Sequence, residues 1–321
     1  MKAIVFTKYG TPDVLELKEI DQPVPKENEV LVKVCAVSIN DWDLGLLRGC
    51  DVINRLINGL FKPKIKILGS DISGRIEAVG KDVKQFHIGD EVYGDLSGTW
   101  GGFAEYVCAR ENALALKPAN MSFEEAAAIP QAAMLAIQGL RDNGHLQTGQ
   151  KILINGAGGG VGTFAVQLAK LYGAEVTGVD KAAKFDLMRA LGFDHLIDYT
   201  REDFTRNGQR YDLILDVKTN RPMFNYTRAL SRNGTYVIVG GSLLRLLEAL
   251  CMKPLISMIG KKKICFVALK TNKDLDEMNG LFVAGKVKPV INGFNRLDQV
   301  PAALSFFGEG LHQGKVVITL E

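Results

Sequence analysis

The sequence predicts an α/β chain in which a doubly wound parallel sheet is joined to a β-rich domain. Three observations carry that expectation: a glycine-dense turn between a strand pattern and a helix pattern, an acid at the end of the next strand, and a change of hydrophobic period near residue 120. The turn lies in Ile152-Leu153-Ile154-Asn155-Gly156-Ala157-Gly158-Gly159-Gly160-Val161-Gly162. Apolar, β-prone residues enter it. Val161, Phe164, Ala165, Leu168, Ala169 and Leu171 leave it at helical spacing. Glycine lets the backbone approach a pyrophosphate, and the unpaired N–H groups of a helix start favour an anion. The run reads as Ala157-x-Gly159-x-x-Gly162, a variant of the three-glycine dinucleotide fingerprint, or as Gly156, Gly159 and Gly162 at even spacing.

Asp180 closes the next strand pattern, Glu175–Val179. It lies 180 − 162 = 18 residues past the last glycine, near the ~20 expected of a carboxylate that receives adenosine ribose hydroxyls. Its other possible use is as N-cap of a helix over Lys181–Leu191.

The first 120 or so residues read as short strands: Ala3–Phe6, Leu15–Glu19, Glu29–Val37, Asp71–Val79, Glu91–Tyr93 and Ala104–Ala109. Turn signals such as Gly10-Thr11-Pro12 and Gly89-Asp90 separate them, which suggests a barrel or sandwich. Ser122 with Glu124 and Glu125 marks a helix start. Strands and helices then alternate through Ile264–Leu269, as a parallel sheet requires. The last strand, Lys315–Leu320, is expected to rejoin the first domain. The division is therefore 1–125, 126–269 and 270–321, with the crevice between domains as the default ligand site.

Composition excludes several classes. A net charge of +3 spread over 321 residues offers no basic stripe for nucleic acid. Cys35, Cys50, Cys108, Cys251 and Cys265 include no C-x-x-C pair, so they read as reduced thiols of a cytoplasmic protein. The N-terminus enters a strand directly, so no signal or transit peptide is expected. Leu243–Ile259 is apolar, but Arg245, Glu248, Lys253 and Pro254 interrupt it. It reads as a buried or interface helix rather than a span. Lys261-Lys262-Lys263 reads as a solvated helix end.

Four motifs in order then carry a family resemblance. They are Gly69-Ser70-Asp71-Ile72-Ser73-Gly74 with Glu77-Ala78-Val79-Gly80, Gly89-Asp90-Glu91-Val92-Tyr93-Gly94, Gly101-Gly102-Phe103-Ala104-Glu105-Tyr106, and Ala126-Ala127-Ala128-Ile129-Pro130. The chain resembles the medium-chain dehydrogenase/reductase superfamily, in its zinc-independent, quinone-oxidoreductase-like branch. The resemblance implies a GroES-like β-rich catalytic domain, a Rossmann domain, and a homodimer paired along Ile264–Leu269. Zinc relatives hold catalytic metal at positions that match Asn40, Ser70 and Gln131 here. Two amides and a hydroxyl do not supply the thiolate or imidazole that zinc takes, so no zinc is expected.

Without a Lewis acid to activate an alcohol, the expected reaction is hydride transfer from NADH or NADPH to a quinone or an α,β-unsaturated carbonyl. Asn40 and Gln131 would offer hydrogen bonds to the developing oxyanion, or serve as scaffold at the domain hinge. Asp43 reads as a helix cap that could also donate a proton. By the same resemblance, Gly156, Ala157, Gly159, Gly160, Val161, Gly162 and Thr163 would hold the phosphates. Val239, Gly240, Gly241 and Phe266 would meet the nicotinamide side. Asp180 favours NADH. Lys181, Lys184 and Tyr199 would suit a 2′-phosphate, although the lysines otherwise read as a solvated helical turn. The run Asp216–Arg221 departs from the glycine-bearing loop expected there. The alternative function is a non-catalytic nucleotide-binding sensor or structural protein.

Overall fold

The computed structural model describes residues 1–320. It contains two units, Met1–Gln131 with Thr271–Glu321, and Ala132–Lys270. In the first, Glu29–Ser38 is the central strand. It pairs antiparallel with Asp71–Val79, with Tyr106–Arg110 and with the final strand Lys315–Thr319. Glu91–Asp95, Ala115–Leu116 and Ile291–Phe294 extend the sheet. Val30, Val32, Val34, Ile72, Ile76, Val92 and Phe103 fill a core with Leu44, Leu46 and Leu47 of the helix Asp41–Arg48. The strands Ala115–Leu116 and Ile291–Phe294 were not foreseen; both are short and border turns.

The second unit is a six-stranded sheet with every pairing parallel. Its order is His195–Asp198, Glu175–Asp180, Lys151–Asn155, Tyr211–Asp216, Leu230–Ile238, Lys263–Phe266. The strand order reverses direction between Lys151–Asn155 and Tyr211–Asp216, so the C-terminal ends of those strands border a topological switch point. Ser122 caps its helix as expected: its hydroxyl accepts from the Glu125 N–H at 3.1 Å, and Glu125 accepts from the Ser122 N–H at 2.9 Å.

One helix expectation needs correction. Lys181–Leu191 is a 3₁₀ turn, Ala182–Lys184, followed by the helix Phe185–Ala190. Leu243–Gly260 is helical, but it is buried on one face only. Ala249 and Ile256 pack on the sheet, while Leu244, Leu247, Leu250, Leu255 and Met258 are exposed. Among the described residues no helix is long and apolar enough to cross a membrane.

Candidate active site

The first unit gathers the residues that stand at the metal-ligand positions into one buried network. Asn40 precedes the helix Asp41–Arg48, and its N–H donates to Asp43 Oδ2 at 2.8 Å. Its side chain is tied at both ends: Nδ2 donates to Ser70 Oγ at 3.3 Å, and Oδ1 accepts from Lys315 Nζ at 2.6 Å. Lys315 also donates to the Ile39 carbonyl at 3.1 Å and to Asp71 Oδ2 at 3.3 Å. The Gln131 N–H donates to the same Asp71 oxygen at 3.2 Å. Asn40, Ser70, Asp71, Gln131 and Lys315 are all buried. Among the described residues no cluster of His, Cys, Asp and Glu is placed to hold a metal ion.

Lys315, Asp71 and Asp95 were not foreseen as site residues. A lysine in an apolar strand and an aspartate in a glycine motif each look like surface groups. Lys315 and Asp71 pair across 244 residues of sequence, which no local pattern shows. One signal was available: Lys315 begins a strand whose next three residues are all apolar, so no alternation assigns it to a wet face.

The surrounding carboxyls respond to burial. Asp43 is pushed up to about 7, mainly because it is sealed from water. N–H groups of Asn40 and Gly69 oppose the shift, the Asp71 charge adds to it, and Lys315 lowers it. Both Asp43 oxygens accept backbone N–H bonds, so the cap is its structural use. Asp95 is raised to about 6, first by burial and then by Asp71, against hydrogen bonds from Ser97 and Gln131.

In the second unit the glycine turn is closed by steric and hydrogen-bonding constraints. Gly159 is the N-cap of the helix Gly160–Leu171. A Cβ on Gly162 would stand 2.4 Å from the Gly156 carbonyl oxygen and 2.5 Å from that of Ala157, so the helix start admits only glycine there. Gly156 and Ala157 donate to the Val179 carbonyl. Val161 and Gly160 are half-buried at the first turn. Thr163, expected near the phosphates, is buried and donates its hydroxyl to the Gly160 carbonyl at 2.9 Å.

Asp180 is already engaged by its own turn. Its carboxylate accepts the Gly158 N–H at 2.9 Å and the Lys181 N–H at 2.8 Å, and Lys184 Nζ stands 3.5 Å away. The N-cap position falls on Lys181, not Asp180. Lys184 is buried rather than solvated, because its stem lies over Gly158, where a Cβ would meet it at 2.6 Å. Burial lowers the Lys184 pKa, and Asp180 opposes that. Tyr199 is exposed, with its N–H on the Asp180 carbonyl.

Val239 donates its N–H to the Asp216 carbonyl, and Thr219 to that of Gly240. Gly241 bridges Thr219, and Phe266 is half-buried at the end of its strand. Asp216 explains the unexpected loop. Its carboxylate accepts from Asn155 Nδ2 at 2.7 Å, Tyr236 OH at 2.5 Å and the Lys218 N–H at 3.0 Å. That draws Val217 and Lys218 against Gly156.

A cradle closed to Cβ atoms, a helix start and a strand-end carboxylate fit a dinucleotide pyrophosphate and its ribose. Residues 26–119 match the alcohol dehydrogenase GroES-like domain, and residues 191–318 match the zinc-binding dehydrogenase model. The chain is 34% identical to the 2-methylene-furan-3-one reductase of Solanum lycopersicum, over 99% of this chain and 79% of that protein.

The chain belongs to the medium-chain dehydrogenase/reductase superfamily, in its quinone-oxidoreductase-like branch. It is 32% identical to the chloroplastic NADPH-dependent alkenal/one oxidoreductase of Arabidopsis thaliana, over 99% of this chain and 79% of that one. The solved quinone oxidoreductase of Coxiella burnetii superposes with a TM-score of 0.88 at 28% identity, covering 100% of this chain and 99% of that chain. The chain is thus a nicotinamide-dependent oxidoreductase of this branch, with the GroES-like and Rossmann domains that the sequence implied.

The raised carboxyls set a pH dependence. A carboxyl whose folded pKa lies above its unfolded value favours the native state below the unfolded pKa. That advantage is lost as pH rises through the folded pKa. For Asp95 the window runs from about 4 to about 6 and is worth roughly 2–3 kcal/mol. Thermal melting of Asp95→Asn is expected to fall less than wild type between those pH values. Parallel curves would remove Asp95 from the account.

Proposed function

We propose that this chain uses reduced nicotinamide to reduce quinones and α,β-unsaturated carbonyls, with Asn40 and Gln131 as hydrogen-bond donors to the oxygen that gains charge. The bound cofactor supplies the hydride. The observation that carries the reading is the Asn40 amide, fixed at Oδ1 by a buried ammonium while Nδ2 remains a donor. Ser70 uses one of its two N–H groups, which leaves a second for a substrate oxygen. Lys315 draws electron density from Oδ1 and so strengthens the N–H donors. An amide held in this way needs no reorganisation as the oxyanion forms. A conjugated carbonyl or quinone is electrophilic enough for such donors to suffice. The relatives named above as a furanone reductase, an alkenal/one oxidoreductase and a quinone oxidoreductase support this substrate class. We assign the protein to the cytoplasm as a homodimer paired along Lys263–Phe266, the edge strand of its sheet.

With a panel of benzoquinones and alkenals, the protein is expected to consume NADH or NADPH while leaving simple primary alcohols unoxidised with NAD⁺. Alcohol oxidation without activity on any activated alkene or quinone would reverse the assignment.

Two Asn40 variants separate a donor from a scaffold. Asn40→Ala loses both functions. Asn40→Asp keeps an acceptor for Lys315 Nζ but loses the N–H groups. If Asn40 is the donor, both lower turnover by about 100- to 1000-fold, with cofactor affinity unchanged. Recovery of turnover in Asn40→Asp would leave Asn40 as the anchor of Lys315 alone.

For the cofactor we propose a preference for NADH, set by Asp180 and moderated by Lys184. The carboxylate would receive ribose hydroxyls and repel a 2′-phosphate, while the adjacent ammonium offsets part of that repulsion. Asp180→Ser is expected to release Lys184 for a phosphate and move the ratio of kcat/KM values toward NADPH by roughly tenfold, about 1.4 kcal/mol. Lys184→Met should move it toward NADH. A wild type that favours NADPH would show that the lysine decides.

A further inference from the structure

The helix Val52–Asn58 is built inside out. Its buried positions are Asn54 and Asn58, with Arg55 half-buried. Its outward positions are Val52, Ile53, Leu56 and Ile57, and Leu60 and Phe61 continue that surface. Phe61 is 85% exposed and Leu56 70%. A soluble helix normally turns its apolar stripe to the core.

The polar inward face is specified, not accidental. Asp51 caps the helix through the Asn54 N–H at 2.8 Å and accepts its side-chain amide at 2.6 Å. Asn58 Oδ1 accepts the Ile65 N–H at 2.8 Å. Arg55 donates to the carbonyls of Gly49 at 2.7 Å and Leu60 at 3.0 Å, and lies over the Tyr9 ring. Turning the apolar side inward would break all of these bonds. The outward face is therefore held ready for an apolar environment.

The charge around it identifies that environment. Residues 52–70 contain four cations, Arg55, Lys62, Lys64 and Lys66, and no acid. The three lysines directly follow Phe61 and are exposed. Large apolar side chains beside a basic cluster suit the headgroup region of an anionic bilayer, which accepts the first and attracts the second. A second copy is disfavoured, because a symmetric contact would set this patch and its cations against themselves. The second unit repeats the composition independently: the exposed Leu244, Leu247, Leu250 and Met258 precede Lys261 and Lys263, which are also exposed.

We propose that Val52–Lys66 docks this protein on the surface of an anionic lipid bilayer, with Leu56, Ile57, Leu60 and Phe61 entering the interface and Lys62, Lys64 and Lys66 on the headgroups. The contact is peripheral, and it stands independently of the substrate reading. The test is cosedimentation of the full chain with phosphatidylcholine vesicles, with and without phosphatidylglycerol. Wild type is expected to pellet with the anionic vesicles and to be released as salt rises. The variant K62Q/K64Q/K66Q should lower the partition coefficient by roughly fivefold per lysine, on the order of a hundredfold together. L56S/F61S should also lower it, with melting temperature and circular dichroism unchanged. Equal pelleting with neutral and anionic vesicles, or binding that survives in both variants, would overturn the proposal. So would a dimer that L56S/F61S converts to monomer in sedimentation velocity, which would give the face to a second copy.

Discussion

One buried ammonium organises the first unit. Lys315 Nζ is shared by the Asn40 amide, the Ile39 carbonyl and the Asp71 carboxylate. Removing a charge from water costs several kcal/mol, and only close, hydrogen-bonded partners offset that cost. All three partners come from elements near the chain's start, whereas Lys315 begins its last strand. That strand pairs with Glu29–Ser38 through Val317 and Ser38, so sheet register and charge pairing impose the same placement. Deleting either member of such a pair usually costs about 3–5 kcal/mol. The orientation of Asn40 and the placement of the last strand are thus coupled through this one ammonium.

The nucleotide unit uses carboxylates in the same way. Asp180 and Asp216 each end a strand of the parallel sheet, and each accepts N–H groups from a neighbouring loop. Asp180 holds the glycine turn at Gly158, and Asp216 holds the loop after it at Lys218. Neither turn has internal secondary structure to stiffen it. Each gains definition from an acceptor anchored in the sheet, which fixes the backbone before any anion arrives.

Much of this was legible in the sequence, and the exceptions have a common cause. The glycine run, Asp180, the alternation of strands and helices, and the capping box at Ser122 are local signals, and they appear where the pattern put them. The strand Glu29–Ser38 was legible because nearly every residue is apolar. Lys184 and, apart from the apolar run that follows it, Lys315 were not, because a buried charge is explained by its partners, and those of Lys315 lie far away in sequence. The helix Val52–Asn58 was unreadable for the opposite reason. Its apolar residues face outward, so a reading that assigns them to a core inverts it. Leu243–Gly260 is apolar on both faces, so its helix was legible but only contact with the sheet decides which face is covered.

The buried carboxyls give the network around Lys315 a variable charge. Lys315 and Asp71 oppose one another at close range. Asp43 and Asp95, raised to about 7 and about 6, add negative charge only as pH climbs through those values. In the role proposed for Asn40, an amide donor beside Lys315 works best on a developing oxyanion while its surroundings carry no excess negative charge. Sealing Asp43 and Asp95 from water keeps them protonated at mildly acidic pH, when model carboxyls would already be ionised. The same burial that makes these aspartates costly to ionise thus keeps further negative charge away from the Lys315–Asp71 pair at mildly acidic pH.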